Sequence, residues 1–352
     1  MPSRQPRIGI TMGDAAGIGP EVSVRALAGG RILRTARFVL YGSPAVFRAA
    51  ARHAGVGLDL IPVDGIRTAI AVNGGVPCIN PTKLKRSAAA TGRIEATLAR
   101  AAMQCVSAAV GDALAGELDA VVTAPINKVG LRRAGYAASG HTDFIAAEVR
   151  AARGGQTPDV AMLFVGGGLR VVLVTIHEPL SKAIGLVTPQ RVLTSTRLLA
   201  ESLRRDFGIA APRIGVCGLN PHAGEEGLMG DDEARRIGPA VKKARASGLD
   251  VHGPLSADAL LARHRAGEFD GVVAMYHDQG LIPVKLLAFH SGVNVTLGLP
   301  FVRTSPDHGT AYDIAPRFVA DPGSMEAAIR LAVRLARRRA RLARRRRRAL
   351  SC

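Results

Sequence analysis

The chain has 352 residues, enough for one large hydrophobic core or two modest ones. Hydrophobic residues make up 47%, aromatics 4%, and there are 40 glycines and no tryptophan, a turn-rich α/β composition. The formal net charge is +19, yet eleven arginines and no acid fall between Arg330 and Cys352, which leaves +8 for the rest and keeps the charge from arguing for a nucleic-acid-binding body.

No apolar stretch is long enough to span a bilayer, which sets membrane-spanning classes aside. Residues 1–7 are polar and lead straight into a strand-like run, so no signal-peptide core is expected. Cys78, Cys105, Cys217 and Cys352 have neither CxxC nor disulfide-framework spacing and read as reduced, structural thiols of a cytoplasmic protein.

In chain order, Arg7–Thr11 reads as a buried strand, followed by a glycine-rich loop, Gly13–Glu21, and a helix with Pro20 in its first turn. Further strands are predicted at 38–41, 119–123, 160–165, 169–176, 213–219, 271–275 and 293–297. Helical patterns occupy 44–54, 92–115, 142–152, 189–206, 232–247, 256–266 and 324–345. Alternating strands and helices predict a largely parallel α/β sheet. The turn Gly166–Gly167–Gly168 between two strands predicts a hairpin, hence a mixed sheet. Length and pattern predict two domains around an active-site cleft: 1–135 plus 290–335 on the nucleotide side, 136–289 for metal, substrate and dimerisation, and a basic tail, 336–352.

Three histidines, His177, His222 and His277, each follow an apolar, β-rich run. Strand C-terminal ends open onto the ligand crevice of α/β proteins, and three imidazoles suit a divalent metal with one open position. Zinc, cobalt and magnesium are the metals considered, with imidazole favouring the first two. Asp278, beside His277, reads as a second-sphere group or a proton acceptor, and Asp258 is a second carboxylate candidate. Capping roles at helix starts account equally for both.

Gly13–Glu21 reads as either a tight turn or an anion-binding loop. Ser139–Asp143 places His141 and Thr142 at a helix start, where an anionic group is held or Thr142 simply caps. Lys285, Asn294 and Arg303 lie in a region read as strand and loop with few other charges, and the cations suit phosphate or carboxylate. His308–Gly309–Thr310–Ala311 reads as a loop in which Gly309 lets backbone approach a nucleotide. The arginine tail has no interleaved aromatic and reads as a solvated, partly disordered end rather than a nucleic-acid contact.

Together the strings GDAAGIGPE (13–21), VVTAPINK (121–128), SGHTDF (139–144), CGLNPHAGEEGLMG (217–230), GPLSAD (253–258), AMYHDQGLIPVK (274–285) and VNVTLGLPFVRTSPDHGTA (293–311) resemble the 4-hydroxythreonine-4-phosphate dehydrogenase family of pyridoxal phosphate biosynthesis. The resemblance implies a fold similar to isocitrate and isopropylmalate dehydrogenases. It implies a divalent metal on His177, His222 and His277, and substrate contacts from His141, Thr142, Lys285, Asn294 and Arg303. It implies a nucleotide loop at His308–Ala311, and a homodimer whose active site draws residues from both subunits. The implied reaction is NAD(P)⁺-dependent oxidation of 4-phosphohydroxy-L-threonine at C3, then decarboxylation to 3-amino-2-oxopropyl phosphate. Threonate or erythronate 4-phosphate is the alternative substrate; a dihydrodiol dehydrogenase, a metal-dependent hydrolase and a tail-mediated nucleic-acid binder rank lower. Ala15 stands where the family usually has proline, and the arginine run after about residue 335 lies outside the family pattern.

Overall fold

The computed structural model describes residues 4–82, 84, 90–138 and 140–350. Ser139 and Cys352 lie outside the described residues. The strands, in chain order, are β1 (Arg7–Thr11), β2 (Arg37–Tyr41), β3 (Leu60–Val63), β4 (Val76–Ile79), β5 (Ala120–Thr123), β6 (Ala161–Gly166), β7 (Leu169–Leu173), β8 (Arg213–Cys217), β9 (Asp250–Leu255), β10 (Gly271–Ala274), β11 (Val293–Leu297) and β12 (Val302–Pro306). The chain forms two compact units, Met1–Pro158 with Leu299–Arg337, and Asp159–Gly298 with Arg338–Cys352.

In the first unit, parallel strands run in the order β3-β4-β2-β1-β5-β12. The continuous apolar run of β1 suits a strand covered on both faces, and Ile8 and Ile10 are fully buried. The helix Gly19–Ala28 begins with Pro20 in its first turn, as expected.

In the second unit the order is β11-β6-β7-β10-β8-β9. β11 and β7 flank β6 antiparallel, and the remaining pairs are parallel, so the expected mixed sheet is found. Gly166 pairs with Leu169 across a two-residue turn, and Gly167 and Gly168 have φ of +58° and +84°. Two left-handed positions are what a type I′ hairpin requires. Phe164, Leu169, Val171 and Leu173 pack with Leu281 and Val284 of the helix His277–Ala288. Each such side chain contributes roughly 1.5–3 kcal/mol when fully buried.

The unit boundaries differ from those expected. Residues 136–158 belong to the first unit, because the helix His141–Arg153 packs on the helix Ala96–Leu114, where Ser107 Oγ donates to Glu148 at 2.6 Å. Residues 290–298 stay with the second unit, because β11 pairs with β6.

The segment holding Lys285 is helix rather than strand and loop. Gly280 and Pro283 have poor helix propensity and hid it. Gly280 is needed there, since a Cβ would sit 2.5 Å from the Leu173 side chain of β7. One helix runs from Gly323 to Leu350 and takes in the helical pattern expected at 324–345; Leu331, Val333 and Leu335 are buried, and Arg341, Arg344 and Arg345 are exposed. In the second unit its Arg339 meets Asp206 at 2.7 Å. No helix among the described residues is long and apolar enough to cross a membrane. Cys78, Cys105 and Cys217 are buried free thiols.

Candidate functional site

In the second unit β7, β10 and β8 run parallel, with Leu173 level with Ala274 and Val273 level with Val216. Their C-terminal ends therefore share one edge of the sheet, and the three expected histidines lie on the segments that follow, His277 as the first residue of its helix. The His177 and His277 rings face each other at 5.7 Å between centroids. They line a cleft of about 230 Å³ between Thr175–Glu178 and Tyr276–Asp278, closed by Leu180 and Ala183. His277 Nδ1 is hydrogen-bonded to Asp278 Oδ1 at 2.6 Å. With the proton on Nδ1, the ring is oriented by the carboxylate and Nε2 is left as the electron-pair donor, the arrangement seen around metal-ligating imidazoles.

His222 lies in the turn Pro221–Gly227, where His222, Ala223, Gly224, Glu225 and Glu226 all have left-handed φ. Such backbone costs roughly 1–2 kcal/mol per non-glycine residue and gathers at functional sites. Asp258 begins the helix Ala257–Arg265. The Ser256 hydroxyl donates to it at 2.5 Å; that bond, a backbone bond from Ala259 and the nearby His222 hold its carboxyl below the ordinary value. Among the described residues no group of three or more His, Cys, Asp or Glu is gathered closely enough to hold a metal. The His177–His277 pair offers two imidazole donors, while His222 stands apart near Asp258.

Lys285 is half-buried on the helix His277–Ala288. Asn294, in β11, is buried, and its Oδ1 has no hydrogen-bond partner among the described residues.

In the first unit Arg303 of β12 is only 2% exposed, and its Nη2 donates to Thr123 Oγ1 at the end of β5, 2.5 Å away. Burial lowers its pKa to about 9. His141 opens the helix His141–Arg153. Burial, then the charge of Arg303, pushes its imidazole well below the ordinary value, so His141 is neutral at pH 7. His141 Nε2 and Thr142 Oγ1 are buried with no partner among the described residues. Buried polar atoms are rarely left so without a ligand or water to satisfy them. A buried guanidinium with these two groups suits an anion. Thr142 makes no side-chain cap, which removes the simpler account of its position.

The expected nucleotide loop, His308–Ala311, packs on the glycine-rich loop. Ile18 N donates to Thr310 O at 3.0 Å, and a Cβ on Gly17 would lie 2.6 Å from that oxygen. Asp14 Oδ2 accepts from Tyr312 OH at 2.6 Å, and Oδ1 from Ala16 N at 3.0 Å. Gly309 has open space on its Cβ side. Asp14 lies inside the glycine-rich string that the sequence reading singled out, without a role of its own there, and Tyr312 follows directly on the last string. Lys128, whose Cε lies 4.0 Å from a Cβ placed on Gly140, likewise ends a string without a role of its own.

The family model described as pyridoxal phosphate biosynthetic protein PdxA matches residues 34–332. A 4-hydroxythreonine-4-phosphate dehydrogenase of Desulfosudis oleivorans is 44% identical, over 94% of this chain and 96% of its own. A D-threonate 4-phosphate dehydrogenase of Cupriavidus necator is also 44% identical, over 95% and 98%. The crystal structure of a 4-hydroxythreonine-4-phosphate dehydrogenase from Burkholderia phymatum superposes with a TM-score of 0.80 at 42% identity, covering 95% of this chain and 99% of that one. The strand-end histidines, the buried Arg303 and these matches along nearly the whole chain have one reading: the protein belongs to the PdxA family of pyridoxal phosphate biosynthesis and is a dehydrogenase.

Proposed function

We propose that the chain oxidises 4-phosphohydroxy-L-threonine at C3 with NAD⁺ or NADP⁺, giving 2-amino-3-oxo-4-phosphobutanoate, which loses CO₂ to form 3-amino-2-oxopropyl phosphate. The observation that carries this reading is the buried Arg303 beside neutral His141 and the unsatisfied Thr142 hydroxyl, a ready-made holder for an anionic end of the substrate. Lys285 and Asn294, in the second unit, are assigned the remaining polar groups of the substrate. His308–Ala311 is assigned to the nicotinamide cofactor, with Gly309 leaving room for its phosphates.

His177, His277 and His222 are the residues assigned to a divalent metal, zinc, cobalt or magnesium, which would supply Lewis acidity if bound there. Asp278 holds the His277 ring in one tautomer. Asp278 and Asp258 are the two carboxylates offered to take the proton of the C3 hydroxyl, and a bound nicotinamide would supply the hydride acceptor. On decarboxylation the electron pair of the broken C–C bond passes toward the ketone oxygen, and the resulting enolate takes a proton at the carbon that lost CO₂. The same unit exposes Ile282, Leu286 and Phe289, spaced along one helix, an apolar surface that supports assembly as a homodimer.

The second reading is oxidation of threonate or erythronate 4-phosphate, favoured by the equal identity to the Cupriavidus necator enzyme. Both substrates carry a phosphate and a carboxylate, so Arg303 serves either. Formation of reduced nicotinamide, followed by absorbance with each phosphorylated substrate, separates the two. Metal-dependent reduction with 4-phosphohydroxy-L-threonine supports the first reading. Reduction with a sugar-acid phosphate alone moves the chain to the second, and silence with all of them removes both.

A further inference from the structure

The first unit has a second concave site, at the N-terminal ends of β1, β2 and β4. Thr123, which holds Arg303, ends the parallel strand β5, so the two places lie at opposite ends of the strands. The pocket has a volume of about 340 Å³. One wall is apolar, with Phe38, Val39, Ile70, Val72 and Pro77. The other carries three arginines, Arg7, Arg34 and Arg37, and none of the described residues that line it is acidic.

The sheet itself places two of these cations together. β1 and β2 pair in parallel with Arg7 level with Arg37. Level residues of neighbouring strands project to the same face, and like charges so opposed cost stability. Burial, then the charge of Arg4 and, less, that of Arg37, hold the Arg7 guanidinium below its ordinary value against the pull of Glu117 and Asp119. Arg7 has a counter-ion, since its Nη1 donates to Glu117 Oε2 at 2.9 Å. Arg37 has only a carbonyl: its Nη1 donates to Ile70 O at 2.6 Å, which fixes the side chain without neutralising it. Arg34, on the short helical turn Leu33–Thr35, makes no hydrogen bond or ion pair among the described residues. Arg337 of the last helix donates to Thr35 O and adds further positive charge to the same corner.

We propose that this pocket binds a small phosphate monoester with a flat, apolar body, at a site separate from the one assigned to the dehydrogenase substrate. A phosphate monoester carries a charge of about −1.5 to −2 at pH 7, which matches Arg34 and Arg37, the two lining cations with no carboxylate beside them. A single carboxylate leaves one of them unbalanced. The planar guanidinium fork suits phosphate oxygens. The apolar wall takes the body of the ligand, and the volume falls at the lower end of the roughly 300–1,000 Å³ typical of small-molecule sites.

Isothermal titration calorimetry of the full-length protein with phenyl phosphate tests the proposal. It is done with Arg303→Met in place, so that the other buried cation contributes nothing. One saturable site per chain is expected. Adding Arg34→Ala or Arg37→Gln should weaken it roughly tenfold or more, the worth of a hydrogen bond to a charged group. Inorganic phosphate, which has no body to bury, should bind more weakly than phenyl phosphate. Arg37→Gln loses the bond to Ile70, so Arg34→Ala, which breaks no contact, keeps the test valid if the former does not fold. In the otherwise wild-type chain, Arg34→Ala should leave dehydrogenase turnover unchanged, which places the loss of binding outside the dehydrogenase site. Absence of saturable phenyl phosphate binding overturns the proposal, as does binding that Arg34→Ala leaves unchanged in the folded protein. Equal affinity for inorganic phosphate overturns the class of ligand, since the apolar wall then takes no part.

Discussion

In the first unit the cationic group is interior: Arg303 is fixed by Thr123 within the sheet, and neutral His141 lies near enough to feel its charge. In the second unit the imidazoles are on the outside, with His177 and His222 exposed on turns beyond the strands. Arg303 is thus preorganised by burial, where a charge acts in a low dielectric and needs little reorganisation. The histidine segments are held by hydrogen bonds to backbone, since exposed side chains have no packing to fix them. Substitutions in the first region are expected to act through desolvated charge, and those in the second through geometry.

The largest expected effect sits in the second region. His277→Ala removes one of the paired rings and the group that Asp278 orients. Co²⁺ affinity should fall beyond the roughly 10–100-fold typical of an outer-sphere change, and dehydrogenase turnover should fall to background. Circular dichroism should show an unaltered fold, because the ring is not part of the core. Wild-type turnover in a folded, metal-replete His277→Ala protein would sink the assignment.

Arg303→Met tests the first region. Truncating a buried, hydrogen-bonded charge costs about 2–5 kcal/mol of binding, so kcat/KM should fall by roughly 30- to several-thousand-fold with most of the change in KM. Co²⁺ affinity should not move, and a change there would show that the two regions are not separable. Because His141 loses a neighbouring positive charge, its imidazole should titrate at higher pH in this variant, which NMR of the ring protons reads directly.

The two carboxylates sharpen the comparison further. Asp278→Asn and Asp258→Asn keep volume and remove the proton acceptor. The true acceptor should lose about 10²–10⁴-fold in turnover, whereas a group that only orients His277 should lose about 10–100-fold, with metal affinity falling in parallel. Equal, small losses in both would move the acceptor elsewhere.

How much of this was legible depended on whether the signal was local. β1 and β11 coincide with the ranges read from sequence, because each is a short run rich in β-branched and aliphatic residues. The hairpin was legible from three consecutive glycines. The histidines stood out because each follows such a run, and the structure brings His177 and His277 together while leaving His222 on its own strained turn. β3, β4, β9 and β12 escaped because they are short or hold proline and polar residues, and only their neighbours make them strands. Gln279 reaches Gly218 across 61 positions, and Arg303 reaches Thr123 across 180. No spacing rule connects such residues before the chain is folded. Sequence could nominate Arg303 as a cation, but not say that it would be buried.

The smallest effect lies outside both regions, at Arg339. Asp206 is 3% exposed and accepts from Arg205 and Arg339. Burial alone raises its pKa, but the hydrogen bonds and charges of the two guanidiniums outweigh burial and hold the carboxyl below its ordinary value. A carboxylate with a depressed folded pKa stabilises the fold fully above its unfolded pKa, near 3.9. That contribution is lost as pH falls through the folded pKa. Arg339→Ala leaves Arg205 in place, so the cost should be about 1.5–3 kcal/mol, the worth of a hydrogen bond to a charged group. Urea unfolding should show this gap in full at pH 7, shrinking as pH drops below about 4, where Asp206 takes up its proton. A gap independent of pH would mean that the guanidinium stabilises by packing its methylene stem rather than by its charge, the other way an arginine serves a surface it partly covers.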